Sequence, residues 1–181
     1  MMKFEYWFEF RKKWTFEQPK LFKFISKFIP QNAKVLIPFA GMFRFGTIDG
    51  SKFIYNDINK EIKANHHVNA YKLAWLYPKE HFDCIIADPP FTWIQWIRKY
   101  KGNRKEKDTS QFYLAMKKWR ITANYLLKPN GIYIECGYNT NGIWKVNAKK
   151  IALGICNCGG FIKDILIIVQ KKNNNLEEFM K

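Results

Sequence analysis

The chain reads as a three-layer α/β protein of the doubly wound kind: a mostly parallel seven-stranded sheet with an antiparallel closing hairpin and helices on both faces. Three observations predict this. Apolar runs too short for helices end abruptly at Gly, Asp or Pro, at residues 34–41, 52–57 and 82–88. Stretches with apolar residues at three- and four-residue steps lie between such runs, as at 19–28 and 110–127, and alternation of this kind implies right-handed crossovers. Near the C-terminus, two apolar runs flank Asn157-Cys158-Gly159-Gly160, a hairpin signal that reverses the last strand. At 181 residues the chain is expected to be a single domain, 1–181, with enough length to bury a core without staples.

In order, residues 1–18 are aromatic and basic with no clean period, and read as an arm with some helix lying over the body. Gln18-Pro19 opens a helix whose buried face is Leu21, Phe22, Phe24, Ile25 and Phe28. Lys34 to Gly41 is the first core strand and its turn, with a short helix expected over 42–45. Lys52 to Asn56 is the second strand, Asn59 a cap for a helix over 60–65, Val68-Asn69-Ala70 the end of a third strand, and 71–76 a helix. Phe82 to Ala87 is a strand buried on both faces, stopped by Pro89-Pro90. A basic loop spans 92–108, Asp108-Thr109-Ser110 caps a helix to about Leu127, and Lys128-Pro129-Asn130-Gly131 turns into the strand 132–136. A helix is expected over 144–150, then strands at 151–156 and 161–170 and a polar tail at 172–181. No internal repeat and no separate second domain is visible.

Charge narrows the function. Lys and Arg number 31 against 15 acidic residues, a net +16 that favours a polyanionic partner, nucleic acid first. No apolar stretch approaches the ~20 residues of a membrane span, and the N-terminus lacks the order of a secretion signal. Four cysteines without CxxC pairs, Cys84, Cys136, Cys156 and Cys158, fit a reduced cytoplasmic protein, and their spacing to His66 and His67 gives no metal site.

The chemistry concentrates at strand ends. Asp88-Pro89-Pro90-Phe91 joins a carboxylate, rigid carbonyls and an aromatic ring at the C-terminal end of a core strand, where ligands bind in open α/β sheets. By itself the tetrad is equally a stiff turn. Gly41 allows close approach at the first strand end, and Asp57 follows it by 16 positions, near the ~20 at which a dinucleotide-type fold places a ribose-binding acid.

Together, Pro38-Phe39-Ala40-Gly41, Asn56-Asp57-Ile58-Asn59 and Asp88-Pro89-Pro90-Phe91 resemble the S-adenosylmethionine-dependent amino-group methyltransferases, in the adenine-N6 DNA branch. Leu126 to Gly131 is similar to the turn before that family's fifth strand, and Cys158-Gly159-Gly160 with Asp164 to Val169 to its closing hairpin. The resemblance covers most of 15–171 and implies a Rossmann-like class I methyltransferase fold, with S-adenosyl-L-methionine as cofactor and S-adenosyl-L-homocysteine as product.

It further implies that Pro38, Phe39, Ala40 and Gly41 wrap the methionine and ribose part of the cofactor. Asp57 then accepts from the ribose hydroxyls, Ile58 packs on the adenine, and Asn69 with Ala70 stands beside its amine. Asp88, Pro89, Pro90 and Phe91 form the catalytic tetrad. Ile37 replaces the family's acid before Pro38, and Gly41-Met42-Phe43 replaces its Gly-x-Gly loop, so Trp14, Thr15 and Gln18 are expected to help hold the methionine. Arg98, Lys99, Lys101, Arg104, Lys105 and Lys107, just after the tetrad, are placed to hold phosphates, with DNA favoured over RNA as the partner. Trp93, Trp96 and Tyr100 are candidates for base stacking. Methylation of RNA adenine or of cytosine N4, and a catalytically idle nucleic-acid-binding subunit, are the alternatives. Oligomeric state is not legible.

Overall fold

The computed structural model describes residues 1–98, 109–139 and 142–174. Seven strands form one sheet: β1 (Lys3–Phe8), β2 (Lys34–Ile37), β3 (Lys52–Tyr55), β4 (Phe82–Ala87), β5 (Leu127–Gly137), β6 (Ala148–Asn157) and β7 (Ile165–Lys172). Their order is β1-β6-β7-β5-β4-β2-β3. β7 runs antiparallel to β5 and β6, and the remaining neighbours are parallel. The direction of winding reverses between β2 and β4, and the crevice outside their carboxyl ends is the switch point of the sheet.

Alternation along each strand divides the apolar side chains into two layers. Val35 and Ile37 of β2, Cys84 and Ile86 of β4, and Ile134 and Cys136 of β5 face helix α1 (Pro19–Ser26), which buries Leu21, Phe24 and Ile25 against them. Pro19 stands at the first turn of α1, where its missing N–H costs nothing, and Gln18 is the N-cap. Leu36, Ile85, Ala87 and Tyr133 face the other way, toward helix α3 (Ser110–Leu126) and a 3-10 helix at Ala70–Trp75. On α3, Phe112, Met116, Trp119, Ala123 and Leu126 repeat at three- and four-residue steps and are buried, whereas Leu114 is exposed.

The seventh strand is not the one that the sequence suggests. The arm does not simply lie over the body: Lys3–Phe8 pairs in parallel with β6, from Lys3 opposite Ala152 to Phe8 opposite Asn157, and forms an edge of the sheet. Conversely, 68–70 is not a strand. Asn56 meets His66 in a single bridge, and its side chain takes both backbone groups of Val68, accepting from the N–H at 3.1 Å and donating to the carbonyl at 3.0 Å. A side chain thus replaces a ladder.

Three expected helices are also absent. Over 60–65 the chain makes one turn, because Asn65 is drawn onto β3, exchanging hydrogen bonds with Tyr55. Over 42–45 the Arg44 guanidinium holds the carbonyls of Gly41, Phe43 and Lys63 and bends the loop around itself. Over 144–150 one turn at Trp144 gives way to β6, whose first residues are claimed by β7, Ala148 opposite Lys172. The turn Lys128–Gly131 is absorbed into β5 as a bulge: the step from Leu127 to Ile132 opposes the step from Phe82 to Cys84, with Asn130 at φ 60°. All four cysteines are buried free thiols. Among the described residues no helix is long and apolar enough to cross a membrane.

Candidate active site

Three clefts, each of roughly 700 Å³ including space open to solvent, lie side by side along the carboxyl ends of β2, β3, β4 and β5. The first is bounded by the ends of β2 and β3, the 3-10 helix and α3, and is lined by Asp57, Ile58, Asn69, Ala70, Trp96 and Trp119, among others. The second lies between the arm and the β2 loop, against Trp14, Thr15, Phe39, Ala40, Gly41 and Asp88. The third opens between α3 and the ends of β4 and β5, with Pro89, Pro90, Phe91, Arg120, Glu135 and Tyr138 in its walls.

They are contiguous. Phe39 and Asp57 border both the first and the second, while Pro90 and Met116 border both the first and the third. Asp88, Pro89, Pro90 and Phe91 therefore sit where the three meet. The exit from the tetrad is fixed by the short helix α2 (Trp93–Trp96): Thr92 caps it by accepting from the Gln95 amide, and the Gln95 side chain accepts from the Phe91 amide at 2.7 Å.

Asp57 is buried, and each of its carboxylate oxygens accepts one backbone N–H, from Gly41 at 3.0 Å and Asn59 at 2.9 Å. A carboxylate has about four acceptor positions, so one on each oxygen remains for a ligand. These same bonds tie the β2 loop to the end of β3. Gly41 has φ +53°, and a Cβ added there would come within 2.9 Å of the Trp14 ring, so the loop needs glycine both for its conformation and for this close approach. Ile58 is 41% exposed on the rim of the first cleft, which rules out a place in the core. Phe39 does both jobs, lining the clefts and meeting Trp119 edge-to-face at 5.4 Å. Gln18 lines none of the three clefts. It is fully buried behind Thr15, donating to the Thr15 carbonyl and accepting from the Cys156 thiol. Arg98 is exposed beside Trp93 and Ile94, whereas Lys99, Tyr100, Lys101, Arg104, Lys105 and Lys107 lie outside the described residues.

Two further features have no role assigned from sequence. Asn56, almost wholly buried, donates to the Pro38 carbonyl at 3.0 Å and holds Val68, joining the ends of β2 and β3 to the segment before Asn69. Its signal is modest: an amide directly before the strand-end acid. The second is a chain of polar side chains at the floor of the third cleft. The Trp119 indole N–H donates to the Tyr133 oxygen, the Tyr133 hydroxyl donates to Glu135, and Arg120 donates to both Glu135 oxygens, the shorter bond at 2.6 Å. Burial and then the Glu135 charge hold the Tyr133 hydroxyl well above its ordinary pKa, so it remains a donor. Burial works against the Arg120 charge, but Glu135 outweighs it and raises the guanidinium pKa. An acid inside the apolar strand Ile132-Tyr133-Ile134-Glu135-Cys136 was the available clue. Behind the tetrad, burial first and then the Asp88 charge raise the Cys136 thiol, leaving it a neutral packing group.

Neither a family model nor a curated protein sequence matches the chain. Solved structures do. TrmN from Thermus thermophilus superposes with a TM-score of 0.62 at 15% identity over 86% of this chain, which spans about half (49%) of that protein. The PH0226 protein from Pyrococcus horikoshii gives 0.56 at 14% identity, covering 86% of this chain and 89% of that one. The 1,6-didemethyltoxoflavin-N1-methyltransferase of Burkholderia thailandensis, solved with S-adenosylhomocysteine, gives 0.50 at 10% identity, covering 79% and 72%. At these identities the likeness is one of fold, and the fold is the Rossmann-like class I methyltransferase fold.

Proposed function

We propose that this chain is an S-adenosylmethionine-dependent methyltransferase that modifies the exocyclic N6 amine of adenine in DNA. The observation that carries the proposal is the convergence of three clefts on Asp88-Pro89-Pro90-Phe91. A methyl transfer needs a cofactor in two parts, nucleoside and amino acid, and a separate seat for the acceptor. The first cleft suits the adenosine, with Asp57 offering acceptors to the ribose hydroxyls and Ile58 and Ala70 apolar surface to the base. The second, narrowed by Trp14 over Gly41, suits the methionine. The residues present thus fit the cofactor, which when bound supplies an electrophilic methyl group on a sulfonium.

The chain's own work is to present a nucleophile. An exocyclic amine on a purine is a poor one because its lone pair is delocalised into the ring. Asp88 and the Pro89 carbonyl accept its two N–H bonds and favour a pyramidal nitrogen with the lone pair available. Pro89 and Pro90 fix the carbonyls in place, since each locks φ. Phe91 stacks on the ring and orients the amine. Arg120 and Glu135 form the polar wall of the acceptor cleft and offer a donor and an acceptor to the edge of the base. In a duplex the base is flipped into this cleft, at a cost of a few kcal/mol. The net charge of +16 favours a polyanionic carrier for that base.

Mass spectrometry of nucleosides from DNA and RNA incubated with the protein and isotope-labelled cofactor tests the proposal. Label in N6-methyladenine from DNA is expected. Label in RNA adenine or in cytosine N4 would move the substrate to one of the alternatives, and label in no nucleoside would overturn the reading.

A further inference from the structure

On the face of the sheet that carries α3, the β1–β6 part is left bare, and its chemistry is distinctive. Phe4, Tyr6 and Phe8 alternate along β1 and all point away from α1, with exposures of 59%, 60% and 45%. Phe10, 72% exposed, continues the line beyond the strand, its ring 4.9 Å from that of Phe8. Leu153 and Ile155 of β6, opposite Phe4 and Tyr6, are half-buried beside them on the same face. Elsewhere on this face α3 covers β4 and β5, and Ile143 covers β7 through the Gln170 side chain. The helix that the sequence suggests over 144–150 would have covered β6, but that segment is a turn and the start of a strand.

We propose that this aromatic face of β1 and β6 is a stacking platform for single-stranded nucleic acid, leading the strand into the acceptor cleft. The last clause rests on the methyltransferase reading; the platform itself does not. Alternate residues on a strand stand about 6.8 Å apart, room for one base against each ring, and base–aromatic stacking tolerates any sequence.

Charge selects the occupant. The three acids of the arm are all engaged: on the α1 side Glu5 pairs with Lys27 at 2.8 Å and Glu9 accepts from the backbone amides of Lys20 and Leu21, while Glu17 accepts from the Trp14 amide at 3.3 Å. Beyond the end of the line, Arg11, Lys12 and Lys13 are basic and exposed. A second copy of a chain carrying +16 would bring like charge against like, whereas a phosphodiester backbone is complementary.

Direction supports the same occupant. β1 is parallel to β6, and through β7 and β5 to β4, so Phe8 and Phe10 emerge at the same carboxyl end of the sheet as Asp88. There Arg11 donates to the Tyr138 hydroxyl at 2.6 Å with its guanidinium over that ring, and Tyr138 meets Phe91 at 4.8 Å. Lys163 adds a second cation over Tyr138. Aromatic rings and cations thus run from the sheet edge to the tetrad.

The test is fluorescence anisotropy with an end-labelled single-stranded DNA 20-mer. Tyr6→Ala should weaken binding about tenfold and the combined Phe4→Ala, Tyr6→Ala, Phe8→Ala variant by about a hundredfold. Tyr6→Phe should bind within about twofold, because stacking needs the ring and not the hydroxyl. Calorimetric titration with S-adenosylhomocysteine should be unaltered in all of them, since none of these side chains lines the clefts. Wild-type affinity in the triple variant overturns the proposal. So does a wild-type dimer, seen by sedimentation, that the triple variant dissolves without change in DNA affinity. If the nucleoside assay finds no methyl transfer while the aromatic variants still lose DNA, the platform stands and only the enzyme reading falls.

Discussion

The two flanks of this sheet are built on different principles. On the β2–β4 flank the centre of the candidate site comes from the first few residues after a strand: Pro38 to Gly41 after β2, Asp57 and Ile58 after β3, Asp88 to Phe91 after β4. The backbone leaves each strand at the switch point, so position in the chain sets position in the site. On the β1–β6 flank almost nothing is local. β1 reaches β6 from the other end of the chain, and between the flanks Arg120 meets Glu135 only through the packing of α3 on β5. A site assembled from strand ends is thus set by sequence order, while the surfaces around it depend on which elements happen to pair.

That difference can be probed by substitution. The largest effect on folding is expected at the acceptor wall. Arg120→Ala strands Glu135 beside Tyr133 with its charge uncompensated, at a cost of about 3 kcal/mol, which for a domain of this size lowers the melting temperature by roughly 9 °C. A variant as stable as the parent would show that the pair is solvated and that the wall is no more than surface.

Next comes the local flank. Asp57→Ala removes the acceptor proposed for the ribose and should weaken S-adenosylhomocysteine binding by about 30-fold in a calorimetric titration. It also frees the amides of Gly41 and Asn59. Unchanged affinity would mean that the nucleoside does not sit in the first cleft.

Gly154→Ala sharpens the comparison from the other flank. Its Cβ would come within 2.8 Å of the Trp7 ring and 2.9 Å of Phe24, so β1 or α1 must yield, for about 1.5 kcal/mol of overpacking in a denaturant titration. An unaffected midpoint would mean that β1 docks only loosely.

The smallest effect lies at the amino end of β4. There Asp83 accepts from Lys128 at 2.7 Å and from the Lys34 amide at 2.9 Å. Burial opposes its ionised form, but the bond from Lys128 and the others outweigh burial and leave its pKa below the ordinary value. A carboxyl depressed in the folded state stabilises above its unfolded pKa of about 3.9, and that contribution is lost as pH falls through the folded value. Asp83→Asn should therefore cost about 0.5 kcal/mol at neutral pH, the pair being partly solvated. The gap should close in acid. A difference that persisted below both pKa values would assign it to something other than charge.

The legibility of the chain follows the same division. The sheet, its antiparallel β7 and the cleft residues could be read because apolar runs stop at Gly, Asp and Pro. The edge strand could not, because the alternation of Lys3–Phe8 buries mainly Trp7 and leaves its aromatics outside, the reverse of an ordinary half-buried strand. The strand expected to end at 68–70 is absent for another reason. Asn56 bonds to Val68 as a neighbouring strand would, and nothing in the order of residues announces that a side chain will do this. The helix expected over 144–150 was lost to pairing with a segment some twenty residues further on.

In the proposed reaction Asp88 acts on the acceptor and not on the cofactor. The most direct measurement compares Asp88→Ala with the parent in two assays on the same preparation, radiolabelled methyl transfer to DNA and calorimetric binding of S-adenosylhomocysteine. Turnover is expected to fall at least about a thousandfold, with affinity for the product held within about threefold. Retained turnover, or turnover lost only in proportion to binding, would contradict it.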